Sequence, residues 1–172
     1  MATARSLADG HIKLAILTTK PANPALPTST ELSAGIAAEC NILSSDFVFG
    51  ATDSDKIAEK ALCTINNANA IGASNYQAGV TPFRYFDTTT KNPDATADAV
   101  FGALKVKGTT LWVYARKTAK LATAAWATGD EIYLGAEVVT DTPQAPSDAG
   151  GFIKFRVPME VQNAWDFITL AA

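Results

Sequence analysis

Histidine occurs once in this sequence, at His11, and that count removes any multi-histidine metal centre and any catalytic triad built around an imidazole. His11 itself lies in an alternating run beside Lys13, where a solvated or packing role is expected. Cysteine is almost as scarce. Cys40 and Cys63 have neither metal-ligand spacing nor the numbers of a disulfide framework, and their small or apolar neighbours suit buried, reduced thiols. No glycine-rich phosphate loop is present, because "GAS" and "AGG" are turn material, and no serine stands in a nucleophile elbow. Long apolar runs are missing too, so no membrane span is expected. "HIKLAILTT" is too short and too polar for a secretory core, which places synthesis and folding in a reducing cytoplasm.

Charge is thin: 18% of residues are charged against 48% hydrophobic, with a net charge of −3. A dedicated nucleic-acid binder gains its affinity from Lys and Arg neutralising phosphates, so this balance argues against one. A surface so poor in charge either exposes small neutral groups or hides itself against partners. The bases Arg84, Lys91, Lys105, Lys107, Arg116, Lys117 and Lys120 precede an acidic last third with Asp130, Glu131, Glu137, Asp141, Asp148, Glu160 and Asp166. Such halves either steer one copy against the next or form an ordinary mixed surface.

What is present is β-rich. In "HIKLAILTT", Ile12, Leu14 and Ile16 share one face of a period-two pattern, and prolines 21, 24 and 27 end the strand. "PTSTELSAG" offers hydroxyl caps for a short helix with Gly35 as its stop. "DFVFG", the turn "ATDSD" and the alternating "KIAEKALCTI" predict a hairpin, followed by a loop over "NNANAIGASNYQAG". "VTPFRYFD" reads as an edge strand or strand start because of Pro82. Ala97, Val100, Phe101 and Leu104 recur at helical spacing, with Asn92 or Asp94 as cap and Gly108 as left-handed stop. "TTLWVYARK" and "EIYLGAEVVT" are strands. "TAKLATAAWATGD" is a brief helix or a wide loop closed at Gly129, and "FIKFRVPMEV" and "AWDFITLAA" predict two final strands. The 172 residues form one domain, a mainly-β sandwich or barrel with a flanking helix.

The search for chemistry finds no constellation, and no enzyme, cofactor or metal is expected. Asp53, Asp55 and Glu59 are the densest acidic group, but the positions and glycine of a calcium loop are absent, which leaves a turn with solvated carboxylates. Trp112 and Tyr114 near Arg116 suggest a stacking platform only weakly; a core or interface pair accounts better for the rings. Arg84 in "PFRYF" either reaches a carboxylate of another subunit or covers an apolar face with its stem.

The succession "LSAGIAAECNILSSDFVFGATDSDKIAEKALC", "NYQAGVTPFRYFD", "ADAVFGALKVKGTTLWVYARK", "TGDEIYLGAEVVTDTPQ" and "GGFIKFRVPMEVQ" resembles the major tail proteins, or tail tube proteins, of long-tailed phages infecting actinobacteria. The resemblance spans nearly the whole chain and is most specific in the order of "SDKIAEKALC", "TPFRYFD" and "GTTLWVYARK". It implies a β-sandwich with a flanking helix, assembled as stacked hexameric rings whose sheets join into a channel for the genome during ejection. It also implies location in the virion, transient non-specific passage of phage DNA, and partners among tail proteins such as the tape measure, terminator and baseplate or tip. Asp53, Asp55, Glu59, Tyr76, Arg84, Trp112 and Tyr114 are then candidate subunit-interface residues. The segment 46–82 is a candidate arm towards a neighbouring ring, or an ordinary surface hairpin. A bore that must not hold DNA should be neutral or acidic, which nominates Glu137, Asp141, Glu160 and Asp166 as lumen-facing. A small-ligand or carbohydrate-binding β-sandwich and a cell-made injection-system tube subunit are the alternatives.

Overall fold

In a computed structural model, residues 5–66, 68–147 and 150–172 are described. The chain order is β1 (Ile12–Leu17), α1 (Ser29–Ala34), β2 (Ile36–Ala37), β3 (Val48–Thr52), β4 (Lys56–Glu59), β5 (Ala68–Ile71), β6 (Asn75–Val80), α2 (Ala99–Leu104), β7 (Thr110–Lys117), β8 (Glu131–Thr140) and β9 (Val157–Thr169). Seven strands make one antiparallel sheet in the order β2-β1-β7-β8-β9-β6-β3, and β4 pairs with β5 in a separate two-stranded ribbon. The mainly-β architecture agrees with the sequence, and among the described residues the two α-helices have six residues each.

The large sheet folds over on itself. Three strand spacings separate β8 from β3, about 14 Å in a flat sheet, yet the Tyr133 hydroxyl of β8 donates to the Phe49 carbonyl of β3 at 3.2 Å. Their rings meet edge-on at 6.4 Å. Inside this fold lies the main core, where Leu14, Ile16, Leu111, Val113, Leu134 and Val138 alternate inward and α2 adds Val100 and Leu104. Each such side chain stabilises the fold by roughly 1.5–3 kcal/mol when fully buried. On the opposite face a smaller core joins Ala15, Leu17, Tyr114, Ile132, Leu32 and Leu170. One half of the sheet is thereby covered on both faces.

The helices are fixed locally. Thr28 caps α1 by accepting from the Glu31 amide at 3.1 Å, while the Glu31 carboxylate takes the Thr28 amide at 2.8 Å. These bonds, with that from the Ala22 amide, hold the Glu31 carboxyl below its ordinary pKa. Asp94 accepts from the Thr96 and Ala97 amides before α2. Gly108 and Gly129 take the left-handed conformation (φ 84° and 85°), although α2 has already ended at Leu104.

Several sequence expectations are corrected. β3 pairs with β6 across the intervening ribbon, not with the strand that follows it. "KIAEKALCTI" leaves extended pairing after Glu59, and its partner β5 arises from the expected loop. "VTPFRYFD" continues past β6 only as isolated bridges at Pro82, Phe83 and Phe86. Of the two readings of residues 118–130 the wide loop is the one found, whereas the two final strands are one strand of 13 residues with a bulge opposite Glu137/Val138. Cys40 and Cys63 are both exposed free thiols.

Candidate assembly surfaces

The β4–β5 ribbon stands on a narrow base. The Asp55 amide donates to the Ala73 carbonyl at 2.9 Å and the Gly72 amide to the Asp55 carbonyl at 2.7 Å. The Asn75 side-chain amide holds the Asp55 carboxylate (2.9 Å) and the Asp53 carbonyl (3.1 Å). Asp53 and Asp55 thus belong to the hinge of the ribbon, and Glu59 is exposed at the end of β4. Among the described residues no group of three or more His, Cys, Asp or Glu side chains is placed to hold a metal ion. Beyond the base, every residue of both strands is exposed. Leu62 (108% exposed), Ile65 (93%) and Ile71 (84%) offer large apolar side chains to solvent. A two-stranded ribbon with no packed face is marginal in water.

The other interface candidates are largely used within the chain. Arg84 forks onto Asp98, with Nη2–Oδ2 at 2.9 Å, and its guanidinium lies 4.0 Å from the Phe101 ring centre. Tyr114 is fully buried, and its hydroxyl donates to the Pro24 carbonyl at 2.9 Å. Burial, with Glu31 and Glu137 adding, pushes its phenol well above the ordinary range. Trp112 is half-buried with its Nε1 unbonded. Tyr76 donates to Asp166 at 2.5 Å, which raises the Tyr76 pKa.

Strand alternation sorts the acidic candidates. Glu137 faces Asn163 across β8 and β9 and accepts from its side-chain amide at 3.0 Å. Glu160 opposes Val139 on the same sheet face, and β6 and β3 continue that face with Asn75, Gln77, Gly79, Gly50 and Thr52. The fully exposed side chains here are acids, amides and hydroxyls, with Val48, Val139, Pro158 and Trp165 half-exposed among them. No lysine or arginine stands at its exposed strand positions: Arg116 of β7 and Lys13 of β1 share the face but are buried, and Arg156, paired with Asp46, lies over Gly79. Asp166 opposes Leu134 on the other face, beside Tyr76. Asp141 lies past β8 at the far end of the sheet, where Lys107 at 2.9 Å and the Thr142 amide lower its pKa.

The family of phage tail tube proteins has a model that matches residues 1–172, the whole chain. The chain belongs to the phage tail tube protein family. No curated protein matches it. As a tail tube protein it is a structural component of the phage virion, and the family implies assembly with itself and with other tail proteins.

Sequence reasoning missed two features of this tail tube protein. One is the exposed apolar set on the ribbon, whose signal was the absence of any charged residue from Thr64 to Phe83. The other is Arg116, fully buried, which donates to Asp130 (2.6 Å) and to the carbonyls of Leu121, Ala124 and Ala125 (2.9–3.1 Å). With Lys120 also on Asp130 (2.5 Å), much of the basic segment is neutralised by acids of its own chain. A groove of about 240 Å³ beside β1, lined by Ile16, Leu17, Thr19, Pro21 and Ala34 among others, contains no aromatic side chain. Among the described residues, no helix is long and apolar enough to cross a membrane.

Proposed function

We propose that copies of this chain close into hexameric rings and stack into the hollow tail tube, a conduit through which phage DNA leaves the particle. The observation that carries this reading is the open part of the sheet face, where Glu137 and Glu160 stand among amides, hydroxyls and glycines, no strand lysine or arginine is exposed, and Arg156 is paired with Asp46. Turned inward, such a face repels phosphates and releases no counterions, so DNA slides past without being held. Asp166, on the opposite face, then lies away from the bore, and Asp141 at a ring edge. The segment 46–82 supplies the arm, whose ribbon reaches a neighbouring copy. The tape measure inside the tube, a terminator at one end and the tip or baseplate at the other complete the set of partners.

Purified chain viewed by negative-stain electron microscopy tests the reading. Hollow polymers of uniform width are expected, with the Glu137/Glu160 face lining the lumen in averaged images. Native tails in which this polypeptide is an isolated body, or in which the bore is cationic, would overturn it.

A further inference from the structure

β9 has two edges, and only one is fully used. Along β8 it pairs from Met159 to Thr169, but β6 meets it only at Val157, Pro158 and Met159 before turning away to β3. From Glu160 to Thr169 the second edge has no backbone partner among the described residues. In an antiparallel pair half of the amides and carbonyls point away from the partner, so this edge exposes a row of unpaired groups in the middle of a sheet. The row is interrupted twice. A bulge falls at Gln162, and Phe167 has a left-handed backbone (φ 48°). Between them Asn163, Ala164, Trp165 and Asp166 stay in regular register with Glu137, Ala136, Gly135 and Leu134.

The ribbon provides a strand of matching length. β5 has four residues, Ala-Asn-Ala-Ile, all exposed, and pairs on one side only, with β4. Natural sheets guard a free edge with charge, proline or a bulge, and β5 has none of these. The only charges on β9 are Glu160 and Asp166, and Asp166 alone lies within Asn163–Asp166. An edge free of charge brings no like charge against an acidic strand that lacks a neighbour.

We infer that β5 of one copy adds as a strand to the free edge of β9 at Asn163–Asp166 of another copy, which extends that copy's sheet with the β4–β5 ribbon. The inference rests on the tube reading and names the acceptor for its arm. Strand addition of this kind draws its affinity from main-chain hydrogen bonds. It gives both unguarded edges a partner at once.

Residue-resolved hydrogen exchange on assembled tubes and on free subunits is the test. Outward amides of 68–71 and 163–166 are expected to slow together on assembly, by about tenfold or more. Adjacent prolines separate the two sides of β5: in Asn69→Pro and Ala70→Pro, one loses an amide facing β4 and the other an amide facing outward. At least one of them is expected to abolish tubes while the melting temperature of the subunit stays unchanged. Tubes in which 163–166 exchange as fast as in the subunit, or in which both proline variants assemble normally, overturn this inference alone. A chain that forms no tube under any condition overturns the tube reading with it.

Discussion

The guanidinium of Arg116 shows how one side chain organises a long connection. Between β7 and β8 the backbone forms neither helix nor strand, yet three of its carbonyls and the Asp130 carboxylate converge on Arg116, with Trp126 5.2 Å away. Burial opposes the charge on Asp130, but hydrogen bonds from Lys120, Arg116 and the Ala127 amide outweigh it and hold its pKa below the ordinary value. A carboxyl depressed in the folded state contributes stability that is complete above its unfolded pKa and lost as pH falls through the folded one. Asp130→Asn is therefore expected to destabilise the subunit by about 2–4 kcal/mol at neutral pH. The gap in melting temperature between the two proteins should begin to narrow below about pH 4 and go on narrowing as pH falls further. Thermal melts across that range check both sign and window. Gly135 makes a second residue-level case: a Cβ there would lie 2.6 Å from Cε1 of Tyr114, which is fully buried and hydrogen-bonded to Pro24. Gly135→Ala should cost about 1–3 kcal/mol by overpacking, readable as a shift in urea midpoint at constant slope.

At the level of elements, legibility followed side-chain type. β1, β7 and β8 were evident because β-branched and aromatic residues alternate between two buried faces. β5 and the start of β6 were hidden because Ala, Asn and Gly have little intrinsic strand preference, and their pairing comes from β4 and β3 instead. The long β9 looked like two strands since its polar stretch Gln162–Asn163 coincides with the bulge. The exposed thiols escaped notice because small neighbours signal burial only where the chain packs, and Cys63 lies at the ribbon tip. The density of the acids Asp53 and Asp55 marks the turn at the ribbon base, where both contact Asn75. The apolar tip was not legible, because exposed Leu and Ile read as core in any hydrophobic pattern. Leu62→Ser combined with Ile65→Ser separates folding from assembly: the subunit should keep its stability within about 0.5 kcal/mol, while tubes are lost or shortened. Calorimetry of the subunit and length distributions by electron microscopy give the two readouts. Normal tubes from the double variant would remove the ribbon tip from the assembly.

For the whole molecule the decisive quantity is the sign of charge on the open sheet face. The net charge of −3 is small, and pairs such as Arg84–Asp98 and Arg116–Asp130 remove charge from the surface without regard to the bore. If this face lines the bore, the charge a passing phosphate meets is set by a few residues, Glu137 and Glu160 foremost, since the neighbouring exposed strand positions are uncharged. Replacing both with lysine leaves the buried cores untouched, because Glu160 is exposed and Glu137 has only its bond to Asn163 to lose. Assembled Glu137→Lys, Glu160→Lys tubes should therefore acquire a bore that releases counterions on meeting DNA, and hold it with an affinity that falls steeply as salt rises. Wild-type tubes should retain none under the same conditions. Co-sedimentation of tubes with short duplex DNA across a salt series measures this directly. Variant tubes that retain no more DNA than wild type at low salt would mean that this face looks outward, and the lining would have to be sought on another surface.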